Sequence, residues 1–422
     1  MSSIFLRFDL LRSHRHFRQV FIARTISLFG LGVLAVAVPM QIYQQTQNSS
    51  YVSLALALDG VGMFIGLLLG GVWADQFERK RLILAARSLC GLGFVVLAWN
   101  ASLPQPMLWL VLLASAWDGF FGALGVSALL AAMPALVGRE NLMQARAISM
   151  LSMRIVSVAA PALAGILIAA SSIAWCYLIA ALATALTLLP LLSLPTLPAP
   201  VQIKDEDEAV HPIREFTRQF LAGWHVIRQH RILAALMQIG VVIAACSAVR
   251  SVFPQLLDQH LQIDDWRLGL LYAAVPLGAS LAALTSAWLE RLAKPGLALM
   301  AASLLSFIAI AGLGWSQQFY LSLLMLFVLG YALAAAALLH YGLLQAHTQD
   351  DYMGRVNGMW SALESAAETL AMLVLGYLAN WRGVATSLVI LALALCLIAV
   401  FVLLQARVLH QIRLHNTSET PS

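Results

Sequence analysis

The sequence predicts an all-α membrane protein of about twelve transmembrane helices in two six-helix bundles. Three observations carry this reading. Of the 422 residues, 61% are hydrophobic and only 11% are charged, against about 25% charged residues in soluble domains. Apolar runs of about 18 residues or more, long enough to cross a hydrocarbon core near 30 Å thick, recur from end to end. A single long polar stretch interrupts them midway. A chain with so few charges cannot present a wetted surface on every side, so lipid is the solvent for most of it.

Residues 1–18 are basic and broken by charges, without the uninterrupted apolar core and small-residue cleavage site of a secretory signal. They read as a retained cytoplasmic N-terminal arm. The N-terminal bundle follows over 19–192, with spans near 19–45, 51–74, 82–99, 107–133, 147–170 and 173–192. The C-terminal bundle occupies 232–406, with spans near 232–253, 267–289, 296–315, 319–345, 356–380 and 384–406. Residues 407–422 form a cytoplasmic tail. The four cysteines, Cys90, Cys176, Cys246 and Cys396, each fall in a different apolar run and read as small core residues.

Lys and Arg fix the orientation, because they accumulate in loops that stay in the cytoplasm. Arg7, Arg12, Arg15, Arg18, then Arg79, Lys80, Arg81, Arg87, then Arg139, Arg146, then Lys204, Arg214, Arg218, Arg228, Arg231, then Arg291, Lys294, Arg355, Arg407 and Arg413 fall on one side; the other side holds only Arg267 and Arg382. Both termini are therefore expected inside. The net charge of +5 reflects topology and anionic inner-leaflet lipid and does not point to nucleic acid.

The polar stretch 193–231 reads as a cytoplasmic linker between the bundles. After the acidic run Asp205, Glu206, Asp207 and Glu208 it turns amphipathic, with Ile213, Phe216, Phe220, Trp224 and Ile227 at helical spacing. That segment is expected to lie on the inner membrane surface. The acidic run reads as a solvated loop.

Between spans two and three the chain reads GGVWADQFERKR, placing Gly71, Asp75, Arg79, Lys80 and Arg81 in one cytoplasmic connection. Gly71 is expected to permit close helix approach, Asp75 can cap a helix or pair with a cation, and the basic cluster keeps the loop inside. A charged latch there can hold one bundle against the other and release in the opposite state; the plainer alternative is a topogenic cluster. Upstream, Gly62, Gly66 and Gly70 form a small-residue ladder, and Gly278, Ala282 and Ser286 make a similar one in span eight. Ser286, Glu290 and Lys294 repeat the spacing of Gly71, Asp75 and Arg79, though out of register by one residue with the ladder match. Both repeats favour two related halves with the substrate path between them.

The connection at 70–81 resembles the loop signature of the major facilitator superfamily. IARTISLFGLGVLAVAVPMQI (22–42), ALLAAMPALVGRENLMQARAISM (128–150), LLYAAVPLGASLAALTS (270–286) and GRVNGMW (354–360) look like its enterobactin exporter branch, and the similarity spans nearly the whole chain. What the resemblance implies is a bacterial inner-membrane exporter of a catecholate siderophore, the small-molecule partner. Composition and spacing alone stop at a transporter, and a multidrug exporter of the same fold is the alternative.

Ionisable groups at membrane depth are costly and usually line a pathway or pair with one another. The candidates for substrate binding or coupling are Asp59, Asp118, Arg154, Arg250, Glu364 and Glu368, with the aromatic residues Trp117, Phe121 and Trp360. Arg24 is expected to snorkel to the interface. Trp360, Glu364, Glu368 and Met372 follow one another every four residues, so they share a helix face, expected to line the cavity. Two carboxylates one turn apart repel, which motivates proton coupling by Glu364 and Glu368; the alternative is a structural pair neutralised by Arg154 or Arg250. Arg154 and Arg250 near aromatic rings would suit an electron-rich catechol, or either could form an ion pair with Asp118 or another carboxylate. Pro161 and Gly165 weakly resemble the span-five signature of drug antiporters.

No G-x-x-x-x-G-K-[ST] loop occurs, which argues against ATP-driven transport by this chain, and no His, Cys or Glu cluster has metal-ligand spacing. The expectation is therefore a carrier, not an enzyme, with no cofactor and no metal, whose partners are substrate, lipid and protons. An outer-membrane efflux partner is possible, and the sequence names none.

Overall fold

In the computed structural model the described residues are 9–138, 141–196, 227, 230–262, 264, 266–292, 294–349 and 352–405. Twelve helices among them are long and apolar enough to cross a membrane. They are α1 (Arg15–Thr46), α2 (Ser49–Gln76), α3 (Arg79–Ser102), α4 (Leu108–Val137), α5 (Leu142–Ala170), α6 (Ile173–Leu192), α7 (Arg231–Ala245), α8 (Trp266–Leu284), α9 (Pro295–Trp315), α10 (Phe319–Ala346), α11 (Met353–Arg382) and α12 (Val384–Gln405). The chain is a multi-pass membrane protein. Its outward side chains agree: Trp315 is 86% exposed, Leu284 82% and Tyr320 80%, exposures that lipid accommodates and water would not.

Sharp local chemistry separates the helices. Gln47 takes a left-handed conformation after α1, and the Asn48 side chain accepts from the Ser50 N–H at 2.8 Å to open α2. Asn100 clamps the next connection, its Oδ1 accepting from the Met107 N–H at 2.8 Å. Gly383, with φ of +83°, alone separates α11 from α12, a backbone conformation glycine adopts without steric cost. The breaks at 170–173 and 316–318 rest on extended serines: Ser172 (φ −155°, ψ 162°) precedes α6, and Ser316 (φ −73°, ψ 118°) follows α9.

Several boundaries differ from the sequence reading. Span seven does not stop at 253 but continues as a 3-10 stretch Cys246–Val252, a short turn Phe253–Gln255 and a π turn Leu256–Leu261, because the apolar run carries on through Leu256, Leu257 and Leu261. The α-helix of span eight ends at Leu284 and is followed by a 3-10 turn Ser286–Arg291. Within the arm, Asp9–Ser13 is helical, α1 begins at Arg15 and not near 19, and Leu10 and Phe17 are buried at 3% and 0% exposure in the first unit's core. The two large apolar side chains gain more from burial than from water. The acidic run 205–208, the amphipathic positions Ile213, Phe216, Phe220 and Trp224, the side chain of Glu290, and the tail 407–422 lie outside the described residues; Ile227 is described and buried.

The chain divides into two compact units, Met1–Glu206 with Gln262–Ala273, and Asp207–Leu261 with Ala274–Ser422. In the first, α2 lies along α4, and the glycine ladder is the reason. A Cβ at Gly62 would run into the Ala116 carbonyl, and one at Gly66 into the Phe120 carbonyl, so the two backbones touch as small-residue helix pairs do. Gly165 of α5 meets Gly269 backbone to backbone in the same unit. Within the second unit, Gly278 of α8 packs on the Phe327 carbonyl of α10, and Gly330 on Val275. Further pairings correspond across the halves: α1 with α5 and α3 with α6 in the first unit, α7 with α11 and α9 with α12 in the second. Each half thus repeats one packing scheme, which the ladders in the sequence suggested.

Candidate functional site

Polar side chains at membrane depth collect in each unit separately. In the first, the centre is α4. Asp118 has a carboxylate oxygen, Oδ1, shut off from solvent and without a hydrogen bond. Asp59 of α2, and Arg87 and Cys90 of α3, are its electrostatic neighbours. The backbone places them: a Cβ at Gly119 would come within 3.0 Å of Asp59 Oδ1, and one at Gly125 within 3.8 Å of Arg87 Nε.

Arg87 was expected among the loop charges. The structure buries it in α3, where it is 8% exposed and its Nη1 donates to Ser27 Oγ of α1 at 2.5 Å. The difference has a simple geometric cause. Arg87 sits eight residues into a helix that begins at Arg79, about 12 Å along its axis at 1.5 Å per residue, which is inside the bundle and not on its rim. Arg24, expected to snorkel, is half-buried within electrostatic reach of Arg87.

An aromatic row flanks this cluster. Trp117 stacks on Phe121 with centroids 4.5 Å apart, Phe121 meets Phe120 edge-on at 4.9 Å, and Phe120 meets Trp73 edge-on at 6.4 Å. The Trp117 indole N–H donates to the Leu89 carbonyl at 2.8 Å, and its ring covers Gly93. Trp117, Asp118 and Phe121 fall within about one turn of α4 by their numbers alone. That Trp117 is also a tie between α3 and α4 needed the structure. Arg154 of α5 is half-buried, and no carboxylate forms an ion pair with it among the described residues, so the alternative of a pair with Asp118 is not seen there.

In the second unit, Arg250 Nη2 lies 2.8 Å from Glu368 Oε1. This is one of the two alternatives the sequence left open, an arginine neutralising one of the span-eleven carboxylates. Glu364, one turn away, feels the charge of Glu368 and forms no ion pair among the described residues. The expected cavity-lining face of α11 is corrected at both ends. Trp360 and Met372 are buried at 3% and 2% exposure, while Glu364 and Glu368 are intermediate. Trp360 stacks on His340 at 4.3 Å, and both close over Gly240 of α7, where any Cβ would strike the Trp360 ring. His340 Nε2 donates to the Leu236 carbonyl at 2.9 Å, so this layer is packing between helices α7, α10 and α11.

The connection at 70–81 is satisfied by partners in the first unit. Arg79 reaches Asp75 at 4.0 Å and donates to the Ala74 carbonyl at 3.3 Å; Arg81 pairs with Glu78 at 2.7 Å; Lys80 donates to the Leu194 carbonyl at 2.6 Å, just past the end of α6. Gly71 does not serve the close approach expected of it, since a Cβ there meets nothing within 4 Å. That role belongs to Gly62, Gly66 and Gly70, which lie on the α4-facing side.

The sequence matches the Major Facilitator Superfamily profile over residues 20–253 and 241–416. Two proteins named enterobactin exporter EntS, from Escherichia coli O81 (strain ED1a) and Escherichia coli O9:H4 (strain HS), are each 44% identical to it over 371 residues, covering 88% of this chain and 87% of theirs. Among solved structures, the nucleoside transporter NupG superposes with a TM-score of 0.73 at 12% identity, over 92% of this chain and 98% of that one. A peptide transporter POT in complex with sulfate superposes with a TM-score of 0.71 at 13% identity, over 95% of this chain and 96% of that one. At those identities the structural likeness shows the fold alone.

Proposed function

We propose that this chain, which belongs to the major facilitator superfamily, exports a catecholate siderophore of the enterobactin type from the cytoplasm across a bacterial inner membrane. The single observation that carries the substrate is the 44% identity, over 88% of the chain, to proteins named enterobactin exporter. Site chemistry is compatible with it. Arginines at membrane depth can hydrogen-bond catechol oxygens, and the row Trp73, Phe120, Phe121 and Trp117 can cover the ring faces.

In this reading the two six-helix halves alternate access to the substrate, the connection Gly71 to Arg81 acts as a latch on the cytoplasmic side, and both termini and the 193–231 linker are cytoplasmic. Protons drive the cycle, with Glu364 and Glu368 as coupling carboxylates. Because Glu368 has Arg250 as its partner, Glu364 is the one of the two without a counter-charge among the described residues.

The test is deletion of the gene followed by measurement of catecholate secreted under iron starvation. Secreted catecholate should fall and intracellular catecholate rise, and a plasmid copy should restore both. Unchanged levels in both compartments would remove the substrate, and hypersensitivity to unrelated drugs in the same strain would put a multidrug exporter in its place.

A further inference from the structure

Arg87 and Asp118 pose an electrostatic problem that the packing of the first unit does not resolve. A guanidinium stays charged in a protein, and taking such a group out of water costs several kcal/mol unless charge partners offset it. The hydrogen bond Arg87 makes is to a neutral hydroxyl, Ser27 Oγ. Its electrostatic partners of opposite sign include Asp118, while Arg24 opposes it from α1. Asp118, for its part, has Oδ1 buried with no hydrogen bond, next to a second carboxylate, Asp59.

Asp118 and Arg87 border one face of α4. Asp118, Gly122 and Gly125 fall at helical spacing on one face. A Cβ at Gly122 would sit 4.0 Å from Asp118 Oδ1, and one at Gly125 would sit 3.8 Å from Arg87 Nε. Neither Gly122 nor Gly125 puts a side chain into that space, and Phe121, which shares the face, is drawn to Trp117 at 4.5 Å and Phe120 at 4.9 Å. The charged and titratable groups facing Asp118 are Asp59 from α2 and Arg87 and Cys90 from α3, with Arg24 of α1 acting through Arg87.

We infer that Asp118 is a proton-binding carboxyl of the first unit and that Arg87 is its positioning residue, held by Ser27 when Asp118 is protonated and moving onto the carboxylate when it is ionised. The exchange links the proton on α4 to a contact on α1. A buried carboxylate oxygen without a donor is stable only as part of a neutral acid or beside a cation, and the arginine one helix away supplies the second state. The inference deepens the proton-driven reading above and rests on it for the transport measurements. It differs in placing a coupling proton in the first unit, away from Glu364 and Glu368.

The test uses the full chain in proteoliposomes with enterobactin as the probe. Asp118→Asn should lower transport driven by a pH gradient about tenfold and remove the pH midpoint that the parent shows. Arg87→Gln should move the pH midpoint of driven transport upward, and Ser27→Ala, which frees the guanidinium for the carboxylate, should move it downward, each by about half a unit or more. A purely structural role would not produce opposite signs. If Asp118→Asn does not fold, those two shifts decide the matter alone.

Driven transport retained in Asp118→Asn, or midpoints that do not move in opposite directions, would each overturn the assignment. If the parent protein moves no enterobactin, the substrate reading fails by itself. The proton site is then read by infrared spectroscopy without substrate: a protonated-carboxyl band that grows as pH falls and is missing in Asp118→Asn supports it, and an identical band in both proteins overturns it.

Discussion

Arg250 and Glu368 form an ion pair of 2.8 Å that joins α11 to the 3-10 stretch continuing α7. Two carboxylates spaced for mutual repulsion are thereby made unequal. Glu368 has a counter-charge, and Glu364, one turn earlier, does not have one among the described residues. The side chains keep 49% and 27% exposure, so solvent screens the pair and its contribution is about 0.2–1 kcal/mol.

A double-mutant cycle tests the pair. Arg250→Gln and Glu368→Gln should each lower the melting temperature of the purified protein slightly, and the double variant should be less destabilised than the sum, with a coupling of about 0.2–1 kcal/mol. Additive effects, measured by thermal unfolding in one detergent, would show that the pair contributes nothing to stability.

Adjacent glycines should respond oppositely to one methyl group. At Gly70 a Cβ would lie 2.9 Å from Ser127 Cβ and 3.2 Å from Leu124 Cα; at Gly71 it meets nothing within 4 Å. Gly70→Ala should cost about 1–3 kcal/mol of stability through overpacking against α4, and Gly71→Ala should leave stability unchanged. Expression level and thermal unfolding read the difference. A transport defect in stable Gly71→Ala would show that position 71 matters in a conformation other than this one.

Trp117→Phe removes the indole N–H that donates to the Leu89 carbonyl while keeping an aromatic ring against Gly93 and Phe121. The lost hydrogen bond should cost about 0.5–1.5 kcal/mol. Enterobactin transport should weaken less than in Trp117→Ala, which also removes the stacking surface. Equal transport by the two variants would take the ring out of substrate contact.

Lys80 differs from its neighbours in the 70–81 connection, because its ammonium donates to a backbone carbonyl at Leu194, where α6 has ended and the polar stretch 193–231 begins. Lys80→Gln should increase proteolytic cleavage between residues 193 and 231 several-fold, because the link from the 70–81 connection to the start of the linker is lost. Arg81→Gln, whose partner is the adjacent Glu78, should not. Limited proteolysis of the two variants side by side is the measurement, and equal cleavage would dissociate Lys80 from the linker.

Much of this architecture was readable from the residues alone, for a physical reason. Whether a stretch crosses the membrane depends on its summed apolarity, a property of consecutive residues. The breaks at Ser171–Ser172 and Ser316–Gln318, the Gly62/Gly66/Gly70 ladder, and the repeat of that ladder in α8 are local in the same sense. The connection Gly71 to Arg81 could be located from its own residues, and Asp75 and Arg79 paired across the break between α2 and α3, because they are four residues apart in the chain.

Side-chain partners were decided by the rotation of each helix against helices distant in sequence. Arg87 could not be told from a loop arginine without α1, since the hydroxyl that receives it is 60 residues away. The same holds for Trp360: its spacing put it on one stripe with Glu364 and Glu368, and only the packing of His340 and Gly240 shows that the stripe turns from polar surface into core within one turn. By itself, then, the sequence determined an all-α chain of twelve spans with a repeated half. The tertiary structure decided which charges face one another, because electrostatics in a bundle is set by distances between helices, and a sequence records only distances along them.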